Sequence, residues 1–353
     1  MQILDTKRAF DPNRCRKSLK PRSRPKNIML KTVLKLLGAT AAALSLTAPA
    51  KAQPWPQQPV KMVVPFAPGG ATDLIARLLA EHFSKRLGQS FLVENRGGAS
   101  GIVGTQAVQG ARPDGYTLLV SGNGPHATNV ALFRKLPYDP IKDFAQISLV
   151  GQLPLVLNVN PSAPARTLDE FIAWVRSQPG RISYGSPGNG SPPHLSMELL
   201  AQKHGLSLVH VPYKGSAPAI ADLMAGHVPV MFDNLFASIQ NIRAGKIRAI
   251  AVGSARAMES LPAVPSFAES GMPGFEVATW IVLAAPARTP GSVVNLLARE
   301  AEAIFSLPDV RQRLLDQGAL PVTLSPQQTE QFVRAEIQKW TDVVERAGVQ
   351  RLD

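Results

Sequence analysis

Cysteine is almost absent from this 353-residue chain, whose single cysteine is Cys15. Residues 53–353 therefore cannot form a disulfide among themselves, and they contain neither a thiol nucleophile nor a cysteine-based metal site. The chain also lacks the P-loop, the His-Glu-x-x-His zinc motif and the Gly-x-Ser-x-Gly motif of hydrolases. Its six histidines are scattered along the sequence. We therefore expect no metal ion and no cofactor.

Charged residues are also few, at 18% of the chain against 45% apolar residues, which is typical of a globular protein and not of a disordered one. The net charge of +13 would suit a nucleic-acid-binding surface. However, residues 1–52 carry 12 Lys and Arg against 2 Asp and Glu, whereas residues 53–353 carry 26 against 23. The excess positive charge belongs to the first 52 residues, so we expect no nucleic-acid partner.

The first 52 residues have the order of a secretory signal peptide. Basic residues continue as far as Lys35, and Leu36–Ala50 is uncharged, apolar and rich in small residues. Ala50-Lys51-Ala52 then matches the small-residue cleavage pattern. The apolar run is shorter than the roughly 20 residues of a membrane-spanning helix, although an uncleaved anchor is an alternative and Met29 is a second candidate start. We predict cleavage near Ala52 and export to the periplasm, without a lipid anchor.

Short β-rich runs alternate with amphipathic stretches through the rest of the chain. Val60–Phe66 is followed by a glycine loop and by a predicted helix, Asp73–Leu87, that Gly88 ends. Further strands are predicted at Phe91–Glu94, Tyr116–Ser121, Leu155–Val159, Ile182–Tyr184, Leu208–Val211, Val228–Phe232, Arg248–Val252 and Trp280–Ala284. Further helices are predicted after Gly101, ending near Gly110, at Leu168–Ser177 with Thr167 as its cap, after Ser191, and at Val293–Phe305, Pro308–Gln317 and Pro326–Ala347. The alternation predicts an α/β fold with parallel sheets.

Two glycine-rich loops stand where a predicted strand meets a predicted helix. The first is Pro68–Asp73, and the second is Gly188–Ser191, in which Ser191 is a candidate N-cap followed by Pro192 and Pro193. The first amides of a helix lack partners and the helix dipole is positive there, so such a junction suits an anion. In the second loop the prolines remove donors, which leaves its glycine amides and hydroxyls. The pair indicates a cleft that holds a small carboxylate or phosphate, and two ordinary tight turns are the alternative.

A series of motifs resembles one known family of receptors. The first block is Pro65–Asp73 (PFAPGGATD), and the next two are Glu94–Ala99 (ENRGGA) and Pro113–Leu119 (PDGYTLL). The second loop, Tyr184–Ser191 (YGSPGNGS), matches as well. Further matching blocks follow at Val211–Gly215, Asp222-Leu223, Phe232-Asp233 and Gly245–Ala249. Together these blocks resemble the Bug-type extracytoplasmic solute-binding receptors of tripartite tricarboxylate transporters, across residues 53–353 and in the same order.

The resemblance implies a two-lobed periplasmic-binding-protein fold of the type II kind. Each lobe would be a mixed sheet flanked by helices, with the ligand cleft between the lobes. One lobe would hold residues 53–152 and 278–353, and the other would hold residues 153–277. The cleft would close on a small carboxylate without covalent chemistry. The ligand-binding residues carried over from the family are Phe66, Gly69, Gly70, Thr72, Asp73, Asn123, His126, Thr128, Gly188, Gly190, Ser191, His194 and Asp233.

Three of these residues have a structural alternative. Asp73 could hold a ligand group or could shape the site by capping the first helix, since a carboxylate repels an anion. His194 falls in the first turn of its helix, where it could bond to its own loop. Asp233 follows a buried strand and could cap a turn instead of touching the ligand.

Other functions compete with that of a receptor. A secreted α/β hydrolase-like enzyme could use Ser186 or Ser191 with His194 and Asp233. A dinucleotide fingerprint could lie at Gly122–Ala127, although Pro125 removes a donor there. A sensory role would use the same cleft with a signalling partner. We expect a monomeric receptor that is not an enzyme, with a small carboxylate ligand and either integral-membrane transporter subunits or a sensor protein as partner.

Overall fold

The structure is a computed structural model that describes residues 55–352. The predicted signal peptide and its cleavage point lie outside the described residues. Among residues 55–352, no helix combines the length and the apolar composition that crossing a bilayer requires.

Ten strands in the described part of the chain join into one curved sheet. The strands are β1 (Val60–Val64), β2 (Phe91–Asn95), β3 (Thr117–Gly122), β4 (Phe144–Val159), β5 (Ser183–Ser186), β6 (Val209–Pro212), β7 (Val230–Asn234), β8 (Arg248–Val252), β9 (Ala278–Pro286) and β10 (Leu320–Thr323). Their order is β2-β1-β3-β9-β4-β7-β5-β6, and β8 and β10 both pair with β4.

Parallel and antiparallel pairs both occur in this sheet. β1 runs parallel to β2 and β3, and β5 runs parallel to β6 and β7. These pairs are the βαβ units that the sequence predicts. β4 and β9 are antiparallel to their neighbours. The prediction of parallel strands therefore holds for β1–β3 and for β5–β7. The sheet as a whole is mixed, as the family resemblance implies.

The sixteen-residue strand β4 connects two groups of strands. Residues 144–154 of β4 pair with β9, and residues 155–159 pair with β7 and β8. The chain also passes between the groups just before β9, where Leu155 N donates to Val277 O at 3.0 Å. The predicted two-lobed fold would have its chain crossings at these two strands. The exact lobe limits stated above stay a prediction.

The helices cover both faces of the sheet. They are α1 (Ala71–Leu87), α2 (Ile102–Gln109), α3 (Asn129–Leu132), α4 (Leu168–Ser177), α5 (Pro192–His204), α6 (Ser216–Ala225), α7 (Leu235–Arg243), α8 (Gly291–Phe305), α9 (Pro308–Asp316) and α10 (Pro326–Ala347), with a 3₁₀ turn at Ala99–Gly101 and a π-helical turn at Gly124–Thr128. The predicted caps form: the Thr167 and Ser191 side chains accept from the backbone of α4 and α5, and Gly88 ends α1 in a left-handed conformation.

Five elements were not predicted from the sequence: α3, α6, α7, β10 and the first half of β4. α6 and α7 are only ten and nine residues long. Short helices have little periodicity of their own and depend on tertiary packing. The first half of β4 is buried on both faces, so it lacks the alternation that identifies a half-buried strand.

The C-terminal helix α10 is fastened to the crossing strand β9 by one buried carboxylate. Glu336 is 8% exposed, and its Oε2 accepts from Trp280 Nε1 at 2.8 Å and from Trp340 Nε1 at 2.9 Å. Lys339 Nζ donates to Glu336 Oε1 at 3.0 Å. Both indoles are almost fully buried, so water could not reach their N–H groups if the carboxylate were removed.

We expect the Glu336→Leu variant to lose about 3 kcal/mol of unfolding free energy, because two buried indole donors would lose their acceptor. Urea unfolding followed by circular dichroism measures this loss. The matched control is Glu330→Leu, which removes only an exposed ion pair with Arg334 and should cost about 0.5 kcal/mol. Equal losses in the two variants would contradict the proposed role of Glu336.

Candidate functional site

A cavity of about 510 Å³ lies where both glycine loops meet the π-helical turn. Its lining includes nine of the residues expected at the site, namely Phe66, Gly70, Thr72, Asp73, Asn123, Thr128, Gly188, Gly190 and Ser191. The other four expected residues, Gly69, His126, His194 and Asp233, are absent from the lining. Gly69, His194 and Asp233 each adjoin a lining residue in sequence, and His126 is two residues from Gly124 and from Thr128. The side chains of His126, His194 and Asp233 are buried.

The first loop presents the N-terminus of α1 to the cavity. Leu74 N donates to Gly70 O at 3.0 Å, which is the first hydrogen bond of the helix. The amides of residues 71–73 therefore have no partner within the helix. Gly70 itself has an extended backbone, with φ −80° and ψ 170°. A Cβ added at Gly70 would have no atom within 4 Å. The cavity therefore meets bare peptide groups at the positive end of a seventeen-residue helix.

Asp73 shapes this loop with both of its carboxylate oxygens. Oδ2 accepts from Gly69 N at 2.9 Å and from Arg77 Nε at 3.0 Å, and Oδ1 accepts from Asn95 Nδ2 at 2.9 Å. Burial alone would raise the pKa of Asp73, but these hydrogen bonds and the Arg77 charge hold that pKa below its usual range. Asp73 is thus an ionised residue that folds the loop around itself, which is the structural alternative stated above.

Most backbone N–H donors of the second loop are already hydrogen-bonded to groups in or beside the loop. Gly188 N donates to Ser186 Oγ at 3.2 Å, Gly190 N donates to His194 Nδ1 at 2.9 Å, and Ser191 N donates to Gly188 O at 3.2 Å. The Ser191 hydroxyl donates to the same carbonyl at 2.7 Å. The glycine amides expected to bind an anion are therefore engaged within the loop, because neighbouring side chains supply acceptors that the sequence pattern did not reveal.

Gly190 has to be glycine for two reasons. Its φ is +69°, and an added Cβ would lie 2.4 Å from Leu132 Cδ1. Since Leu132 also lines the cavity, this close approach joins the second loop to the first half of the molecule.

His194 lies behind the loop and holds it. The side chain is 6% exposed, and its ring stacks on the His210 ring at a centroid distance of 3.9 Å. Burial and the neighbouring His210 lower the pKa of His194 to about 3. The neutral form is required here, because Nδ1 must carry no proton if it is to accept from Gly190 N.

The floor of the cavity is formed by the end of β3 and the π-helical turn. Asn123 Oδ1 accepts from Trp280 N at 2.8 Å, and Asn123 Nδ2 donates to Ala278 O at 3.2 Å, so the side chain ties the turn to β9. His126 is fully buried, and its Nδ1 lies 2.7 Å from Ser121 Oγ. Burial lowers the pKa of His126 to about 3. His126 is therefore a neutral core residue, and only Asn123 and Thr128 of this segment's expected residues line the cavity.

Several lining residues were missed by the sequence analysis. Ser216 begins α6, Asn234 is the N-cap of α7, and Thr279 and Leu352 complete the wall. Asn234 also has a buried Oδ1 without a hydrogen-bond partner in the described structure. Ser216 and Asn234 follow predicted strands, as the glycine loops do, but the helices that begin there are too short to be recognised from the sequence.

The cavity wall contains no Lys, Arg or His, and Asp73 is its one charged residue among those described. Positive potential comes instead from helix dipoles. The N-termini of α1, α5, α6 and α7 all contribute residues to the lining. Each helix has at least nine residues, so each N-terminus carries a substantial part of the peptide dipole. The site therefore favours an anion that is recognised by neutral donors.

The arrangement does not form the catalytic groups of the enzyme alternatives. Asp233 bonds to Ser216 and Asn234 and not to a histidine, and His194 Nδ1 is engaged with Gly190. Ser186 lies 2.7 Å from His210 Nε2, but Ser186 is fully buried. After β3 the chain forms a π-helical turn and a four-residue helix, which does not match the dinucleotide fold. In residues 55–352 no group of three or more His, Cys, Asp or Glu could hold a metal ion.

Two substitutions test the role of His194 in holding the second loop. Because its folded pKa is depressed to about 3, its neutral form stabilises the protein fully above about pH 6.5, and this contribution is lost as the pH falls toward 3. His194→Asn keeps an acceptor for Gly190 N but cannot titrate. We expect its unfolding free energy to fall less steeply on acidification, by up to about 1.4 kcal/mol per pH unit.

The control is His194→Phe, which keeps a ring against His210 but offers no acceptor. It should share the weaker pH response and lose about 2 kcal/mol at neutral pH, because Gly190 N becomes an unpaired buried donor. Urea unfolding at several pH values measures both effects. Identical pH responses in the wild type and in His194→Asn would show that this histidine does not titrate on unfolding.

Comparison with known proteins identifies the family. Residues 75–349 match the family described as tripartite tricarboxylate transporter family receptor. Protein BugT of Bordetella pertussis is 38% identical over 317 residues, which cover 90% of this chain and 97% of BugT. The structure of R. palustris Rpa4515 with adipate is 39% identical in sequence and superposes with a TM-score of 0.76. The match covers 85% of this chain and 100% of the Rpa4515 chain. MatC from Rhodopseudomonas palustris with bound malate is 37% identical with a TM-score of 0.71, covering 82% and 100%. The chain belongs to the receptor family of the tripartite tricarboxylate transporters.

Proposed function

We propose that this protein is a periplasmic receptor that captures a small organic carboxylate in the cavity between its glycine loops. The observation that carries the proposal is the meeting of four helix N-termini at a wall without a positively charged side chain. Such a wall attracts one or two negative charges through peptide and hydroxyl donors. Because no covalent group is engaged, binding is reversible.

The size and lining of the cavity favour a short-chain acid. The volume of about 510 Å³ lies within the usual range of small-molecule sites. Apolar side chains of Phe66, Leu132 and Pro187 alternate with the polar helix ends. Adipate and malate, the ligands of two structural relatives, are dicarboxylates with a short carbon chain, and they are suitable first probes.

The same proposal includes export and a change of conformation. Residues 53–152 with 278–353 would form one lobe and residues 153–277 the other, with β4 and β9 acting as the crossings. A carboxylate that gains contacts from both lobes only in the closed form would shift the equilibrium toward that form. The closed receptor would then be read by transporter subunits in the membrane or by a sensor protein.

We expect Gly70→Val to abolish binding of adipate and malate without loss of stability. The extended backbone of Gly70 accepts a side chain, and an added Cβ meets no atom within 4 Å, so folding should change by less than about 0.5 kcal/mol. The valine methyl groups would occupy the space in which a ligand reaches the amides of α1. Isothermal titration calorimetry with each acid measures the effect.

The matched control is Gly291→Val. Gly291 also begins a helix and also has no atom within 4 Å of an added Cβ, but it lies outside the cavity lining. It should bind as the wild type does. Wild-type affinity in Gly70→Val would exclude the first loop from the site, and failure of the wild type to bind any acid in a carboxylate panel would refute the receptor proposal.

A further inference from the structure

We propose that Asp233 is a positioning residue that couples capture of the carboxylate to the uptake of one proton. The inference rests on the proposed function, and it assigns to this buried residue a role without direct contact to the ligand. Asp233 would bind the proton, and Ser216 would then turn its hydroxyl hydrogen from Asp233 to the ligand.

The geometry places Asp233 directly behind two groups of the cavity wall. Its Oδ1 accepts from Ser216 Oγ at 2.9 Å and from Asn234 N at 2.7 Å. Ser216 and Asn234 both line the cavity, whereas Asp233 is 0% exposed. The second oxygen, Oδ2, is buried without a hydrogen-bond partner among the described residues. When Asp233 is ionised, the protein therefore donates hydrogen bonds to only one of its two oxygens. Burying the other oxygen without a donor is costly in a dry environment.

The number of hydrogens decides what Ser216 can offer. A serine hydroxyl has one hydrogen, and an ionised carboxylate can only accept. While Asp233 is ionised, that hydrogen points to Asp233, so Ser216 presents lone pairs to the cavity and would repel an anion. A proton on Oδ1 of Asp233 reverses the bond, because the acid then donates to Ser216 Oγ. The serine hydrogen becomes free to donate to a ligand carboxylate.

No charged neighbour compensates for the burial of Asp233. Burial raises the pKa of Asp233 to about 7, against the smaller opposing effect of the bonds from Asn234 N and Ser216. The titratable side chains on the elements that pack against β7 are Tyr184 on β5, His194, Glu198, Lys203 and His204 on α5, Asp222 on α6 and Arg243 on α7. Asp222 bonds to Tyr213 and His227, and Tyr184 bonds to Glu198, so none of these three side chains pairs with Asp233.

A bound carboxylate would raise the affinity of Asp233 for a proton, because it adds a second negative charge nearby. Reciprocally, protonation of Asp233 would raise the affinity for the ligand. Asp73 differs in this respect, since three donors keep it ionised. The two acidic residues of the site would therefore act differently: Asp73 shapes the first loop at every pH near neutrality, and Asp233 responds to pH.

The test is calorimetric titration with adipate between about pH 6 and about pH 9, in buffers of different ionisation enthalpy. In the wild type we expect the dissociation constant to rise by up to about tenfold per pH unit above the pKa of Asp233, with close to one proton taken up per ligand there. Asp233→Asn has nearly the same shape and no charge. It should bind without proton uptake and with a flat pH profile, and it serves as the control for titration of adipate itself.

Ser216→Ala separates the hydroxyl from the charge. It should bind more weakly than the wild type at about pH 6, by roughly the tenfold or more that one charge-assisted hydrogen bond supplies. Wild-type affinity in Ser216→Ala at that pH would overturn the role of the hydroxyl. A flat wild-type profile with no proton uptake, a pH-dependent Asp233→Asn variant, or tighter binding at high pH would overturn the inference and leave the receptor function standing. Absence of binding at every pH, for adipate and for every other acid of the carboxylate panel, would remove both.

Discussion

The binding site depends on one constraint, that the first amides of a helix have no partner inside that helix. In this fold, α1, α5, α6 and α7 each follow a strand after a short loop, and all four begin at one cavity. The first amides of α1, α6 and α7 would be costly if they were buried dry, whereas α5 begins with Pro192 and Pro193 and its next amide, His194 N, donates to Ser191 Oγ. Exposure to a cleft satisfies them with water in the absence of a ligand and with an anion in its presence. The sheet therefore positions the helices, and the helix ends create the potential of the site.

The proposed recognition through neutral donors would have a consequence for selectivity. A lysine or arginine in the wall would attract any anion over a wide distance, whereas peptide and hydroxyl groups act only over hydrogen-bond distance. The residues that hold these donors in place then matter as much as the donors. Asp73 fixes the first loop and His194 fixes the second, each by accepting from a glycine amide. Substitution of either one should disturb binding through the shape of a loop and not through a lost ligand contact.

Much of the fold could be predicted from the sequence, because local signals and packing agree over most of it. Strand β1, the glycine loop and α1 follow one another with clear boundaries, and the caps Thr167 and Ser191 stand where they were expected. The short helices α6 and α7 could not be predicted in this way, and Ser216 and Asn234 were missed with them. The family motifs pointed to loops that line the cavity, but they could not distinguish Thr128, which lines it, from His126, which is buried in the core. That distinction depends on which way a side chain points after the chain has folded.

Behind the cavity wall lie two buried titratable residues of opposite chemistry, the base His194 and the acid Asp233. His194 must be neutral to accept from Gly190, and burial against His210 ensures this. Asp233 is equally buried, but it has an acidic group and an unpaired oxygen, so the same low-dielectric environment favours its protonated form. Burial thus favours the neutral form of both residues by opposite proton movements: it lowers the pKa of His194 to about 3 and raises the pKa of Asp233 to about 7. When Asp233 is protonated, the wall beside α6 and α7 is supported by uncharged groups, and it repels an anion less than when Asp233 is ionised.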